Sequence, residues 1–163
     1  MKPKGSLLLK VTGIIMVVLG AFSLIVSVIA MPLLAGIEND PATVEALAEF
    51  GIKMSDMMDL MIQSIITSVV MVLCGVLALL GSKREDRFFL AIIAMSLSLI
   101  EFGVFVALAI AGAPGYDLGS DLIYAVTAVV SSLIFPVMLT LGVILNYVSF
   151  KEWKKQRQQF GEV

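Results

Sequence analysis

Glu101 lies inside the apolar stretch SLSLIEFGVFVALA, residues 96–109, and is the one carboxylate set well away from the ends of four long apolar runs. Counting from Phe88 at 1.5 Å per residue puts it about 20 Å along its run, near the middle of a hydrocarbon core about 30 Å thick. No Lys or Arg falls inside any run, so no fixed cation can pair with it. A lone charge at the bilayer centre costs from about 3 to above 10 kcal/mol. Protonating a Glu at pH 7 costs roughly 3.7 kcal/mol. The comparison favours a neutral acid unless water or a cation reaches it, and a neutral acid needs partners for its O–H and C=O. Ser23, Thr67, Ser68, Ser131 and Ser132 fall at the same depth on the other three runs. Together with Glu101 they are expected to form an intramembrane polar site.

Other chemistry is largely excluded by what the chain lacks. It has no His and a single Cys, Cys74, so it cannot form an internal disulfide, a Cys-His pair or a His-ligated zinc site. Its hydroxyls are plentiful, but a Ser nucleophile needs a base, and a lone Glu cannot make an aspartic dyad. No enzyme, cofactor or metal centre is therefore expected. Glu38, Asp40, Glu45, Glu49, Asp56, Asp59, Asp117 and Asp121 lie in or beside two loops. Their spacing matches no calcium-binding loop, and they read as solvated loop charge.

The elements that must position Glu101 follow from composition. The chain has 163 residues, 60% of them hydrophobic and 15% charged, with a mean hydropathy of +1.04. A bilayer is the expected solvent. Spanning it takes about 20 apolar residues per helix, and four such runs are present, at about residues 11–35, 58–81, 88–112 and 121–148. They predict one domain, an all-α antiparallel four-helix transmembrane bundle. The first run is too long for the apolar part of a signal peptide, about 7 to 15 residues. Ser55 and Ser120 are placed to cap the second and fourth helices, and Pro136 should kink the fourth. In the first connecting loop, DPATVEALAEFG, Asp40 suits a cap, Pro41 a first helical position and Gly51 a stop. A short amphipathic helix over 41–50 is expected there.

Orientation follows from the cations. Lys2, Lys4 and Lys10 precede the first run, Lys83, Arg84 and Arg87 separate the second from the third, and Lys151, Lys154, Lys155 and Arg157 follow the fourth. The positive-inside rule makes this side the cytoplasm, with both termini inside and the short helix outside. In the tail, 149–163, Trp153 belongs at the headgroup level, with Lys151, Lys154, Lys155 and Arg157 against anionic lipid. Nucleic-acid binding is not expected of so short a basic segment. Neither Asn39 nor Asn146 begins an N-x-S/T acceptor, which with compact loops points to a bacterial inner membrane.

Gly103, Ala107 and Ala111 repeat at four-residue spacing, a ridge that allows close helix packing within the bundle or, failing that, between copies of the chain. With no catalytic constellation in view, the expected role is an interaction, scaffold or accessory subunit in the bilayer. Its partner would be another membrane protein or a second copy. The alternative is a proton- or cation-coupled small transporter or channel using Glu101.

Overall fold

In a computed structural model, which describes residues 5–49, 53–82, 85–112 and 122–159, each apolar run becomes a helix, and the first, second and fourth extend beyond the run itself. These are α1 (Ser6–Glu38), α3 (Met54–Gly81), α4 (Phe88–Ile110) and α5 (Leu122–Gln159), with a short α2 (Pro41–Glu49) between the first two. All four long helices are apolar and long enough to cross a membrane, and the chain is a multi-pass membrane protein. At 33 and 38 residues, α1 and α5 measure about 50 and 57 Å. Both exceed the hydrocarbon thickness and must tilt or protrude.

Local chemistry sets the ends. Asp40 caps α2: its Oδ1 accepts the Ala42 N–H at 3.3 Å and its Oδ2 the Thr43 hydroxyl at 2.6 Å. The Thr43 bond holds this exposed carboxyl below the usual aspartate range. The Ser55 cap expected for α3 is not made. That helix begins at Met54, so Ser55 already lies in its first turn, and its hydroxyl donates to Asp56 Oδ1 at 3.3 Å. Asp56 then complements the positive end of the helix. Gly112, at φ +64°, turns the chain out of α4 through the left-handed region that glycine enters without strain. Ser120 and the Gly51 stop lie outside the described residues.

The long helices pack in a closed ring, α1 on α3, α3 on α4, α4 on α5 and α5 on α1, and neighbours run antiparallel. Gly5 at the start of α1 meets Gly142 and Asn146 late in α5. Ser27 meets Ser64 across α1 and α3. Phe88 at the start of α4 stacks edge-on against Phe150 of α5, with centroids 5.5 Å apart. Small residues let the backbones approach, as expected where lipid tails are as apolar as any side chain. A Cβ added at Gly13 would stand 2.8 Å from the Gly75 carbonyl oxygen, and one at Gly75 2.7 Å from that of Gly13. Gly is therefore required at both positions. Ala78, Ala91 and Ala94 are fully buried, while Ile14, Phe22, Ile29, Ile66, Ile93 and Ile144 are exposed, the reverse of a water-soluble bundle.

Candidate functional site

Glu101 is placed by the periodicity of α4. Ala91, Ala94 and Ser98 are buried, and steps of three or four residues carry the same face on through Glu101 and Phe105. Both are half-buried and border a cavity of about 700 Å³ walled by α3, α4 and α5, with Met16 of α1 at its base. Volumes of about 300 to 1,000 Å³ are usual for small-molecule sites.

The polar lining comes from three helices. α3 contributes Gln63 and Thr67, α4 contributes Ser98 and Glu101, and α5 contributes Ser131 and Ser132. The remaining wall is apolar and includes Phe102, Phe105, Phe135, Val70, Met71 and Pro136. Among the described lining residues Glu101 is the one ionisable group. Three of the hydroxyl residues expected near it, Thr67, Ser131 and Ser132, share its cavity. Ser23 and Ser68 do not. Ser68 is buried on the seam between α1 and α3, hydrogen-bonded to Ser23 Oγ at 2.9 Å and to the Ser64 carbonyl at 2.6 Å. Ser27 and Ser64 form a second such pair at 2.9 Å. Thr67 and Ser68, adjacent in sequence, differ by about 100° around the helix, so one faces the cavity and the other the seam.

The hydroxyls around Glu101 are not its hydrogen-bond donors. Ser131 donates to the Thr127 carbonyl at 2.7 Å, and Ser132 bonds the Ala128 and Val129 carbonyls at 3.0 Å. Residues in mid-helix turn to a carbonyl one turn back when nothing better is in reach. Pro136 lies one turn beyond Ser132 and removes the N–H that would otherwise satisfy the Ser132 carbonyl. The α5 wall of the cavity thus loses one backbone donor at that turn. Ser98 and Gln63 line the cavity in addition to the residues expected there. The signal for Ser98 was its position three residues before Glu101, on the same face.

Gly103, Ala107 and Ala111 turn away from this face. All three are exposed, and a Cβ at Gly103 would meet nothing within 4 Å. Packing within the chain is carried instead by Ala91 and Ala94, whose phase matches Glu101, whereas Gly103 is rotated off it. Lys151, Lys154 and Lys155 are exposed on the last turns of α5. The side chains of Trp153 and Arg157 lie outside the described set. Comparison with protein-family models, with curated proteins and with solved structures finds no match for this chain.

Proposed function

We propose that this multi-pass membrane protein is a small carrier whose working group is Glu101, alternately protonated and associated with a cation, with no catalytic activity. The observation that carries this reading is the cavity itself: about 700 Å³ of space opens onto a carboxyl with no fixed counter-charge. An acid that only fixes helix register would instead be closed in by hydrogen-bond partners, as Ser68 is by the Ser23 hydroxyl and the Ser64 carbonyl. An acid that can lose its proton only when a cation replaces it couples the two movements. In this reading both termini lie in the cytoplasm, α2 rests on the outer face, and Lys151, Lys154, Lys155, Trp153 and Arg157 engage lipid headgroups, with a bacterial inner membrane as the setting.

Reconstitution into liposomes with a proton-flux readout tests the proposal. With a monovalent cation supplied on the side opposite the protons, wild type should dissipate an imposed pH gradient faster than empty vesicles, and Glu101→Gln should return the rate to background, because Gln keeps hydrogen-bonding capacity but cannot titrate. Flux in that variant equal to wild type would remove Glu101 from the mechanism.

A second reading, an accessory subunit or homodimer, is favoured by the exposed Gly103, Ala107 and Ala111 ridge. A face of small residues on a lipid-exposed helix suits close approach by another helix. The two readings are compatible, since a carrier of four helices can work as a pair.

A further inference from the structure

We infer that the cavity around Glu101 binds a lipophilic monocation, a bulky molecule bearing one delocalised or amine-type positive charge. The inference rests on the carrier reading and names its cargo. Four features of the site select this class.

The first is charge. The described lining of the cavity presents one carboxyl and no cation. The buried Cys74 thiol on α3 lies within electrostatic reach of that carboxyl; the described polar groups lining the cavity from α5 and the rest of α3 are the neutral Ser131, Ser132, Thr67 and Gln63. One negative charge in a low-dielectric wall is satisfied by one positive charge and repels anions. The second is size, since 700 Å³ far exceeds what a bare metal ion or proton needs and matches a drug-sized molecule. A bare divalent cation would also be left with a single compensating charge, since the described lining holds one carboxyl, whereas hard cations are held by about six oxygens, several of them from carboxylates.

The third is the wall. Phe102, Phe105 and Phe135 line the cavity, and aromatic rings attract desolvated organic cations. The fourth is access. Ile66, Ile100 and Val104 line the cavity and are 58%, 62% and 51% exposed, so the cavity is continuous with the lipid-facing surface of the bundle. A cargo entering by that route must dissolve in the bilayer. Loading then follows a balanced exchange: the cation binds the carboxylate as the carboxyl releases one proton, so the site is neutral before and after.

Tetraphenylphosphonium is the probe, with tetraphenylsilane as its neutral counterpart, in equilibrium binding to purified protein in detergent. Wild type should bind the cation, bind the neutral analogue at least roughly tenfold more weakly, and lose affinity as pH falls from about 8 to about 5, where protons compete for a carboxylate. Glu101→Gln should bind roughly tenfold more weakly and lose the pH dependence. Ala128→Phe fills the cavity from α5 and should abolish binding while leaving the charge in place. Monodispersity and helical content matching wild type confirm that each variant is folded. Equal binding of both probes, or unchanged affinity in folded Glu101→Gln, overturns the inference and marks the cavity as a lipid-tail site. Glu101-dependent proton flux without cation binding also overturns it while sparing the carrier reading. Cation binding without flux supports it and removes the carrier reading.

Discussion

Thr67 and Ser68 stand side by side in the chain and serve different parts of the molecule, one on the cavity and one on the α1–α3 seam. The energetic consequence is measurable. Ser23 and Ser68 share an interhelical bond of 2.9 Å, so a double-mutant cycle of Ser23→Ala and Ser68→Ala in a detergent unfolding assay should give a coupling of about 0.6 kcal/mol, the mean for such bonds in membrane bundles. Ser131→Ala paired with Glu101→Gln should give a coupling indistinguishable from zero, because Ser131 donates to its own helix. A coupling between Ser131 and Glu101 as large as that of the seam pair would mean that the two side chains hydrogen-bond each other. Counting residues from the ends of the apolar runs gave the depth of each hydroxyl but not its direction around the helix. That is why the sequence showed a polar layer at one level, whereas the structure divides it into a seam and a cavity. Thr12 and Asn146 were legible only as polar residues in or beside apolar runs. Both are buried, and among the described residues the Thr12 hydroxyl and the Asn146 amide have no hydrogen-bond partner.

For whole elements the sequence was more informative, because unbroken apolar length is a direct requirement of the solvent. The four runs became four helices, and Asp40 with Pro41 marked the start of α2. The end of α5 was less visible. Hydropathy falls after Val148, but KEWKKQRQQ consists mostly of good helix formers with no Gly or Pro to stop them, so the helix continues to Gln159. The phase of α4 was also hidden, since its outer and inner faces are both apolar. Its exposed ridge carries a prediction. Ala107→Cys, in a chain whose native Cys74 is fully buried, should form disulfide-linked dimers in native membranes under mild oxidation. Ala94→Cys, on the buried face, should not. Monomer alone from Ala107→Cys would mean that the ridge faces lipid or a different protein.

At the scale of the whole molecule, the antiparallel ring gathers most of its cations at one end. Gly5 beside Asn146 and Phe88 beside Phe150 bring the start of α1, the start of α4 and the end of α5 to one end. Lys10, Arg87, Lys151, Lys154 and Lys155 gather there. The other end holds Glu38, Asp40, Glu45, Glu49, Asp56 and Asp59, with Lys53 as the one cation among the described residues. Cations in short segments beside membrane helices resist translocation far more than carboxylates do, so the basic end should stay in the cytoplasm. Lys53 and Lys151 are both exposed and report the two ends. On intact cells a membrane-impermeant maleimide should label Lys53→Cys and leave Lys151→Cys unreacted until the membrane is permeabilised. The opposite pattern would invert the molecule and set the charge asymmetry against the rule. If the labelling shows the expected orientation, it also bears on the proposed cargo flow, because Glu101 then lies between a basic cytoplasmic end and an acidic outer one. Carboxylates concentrate cations near their own end, so in that orientation a proposed cargo cation carried outward would meet a raised local cation concentration, and in the exchange proposed for Glu101 an inward proton gradient would favour its net outward movement.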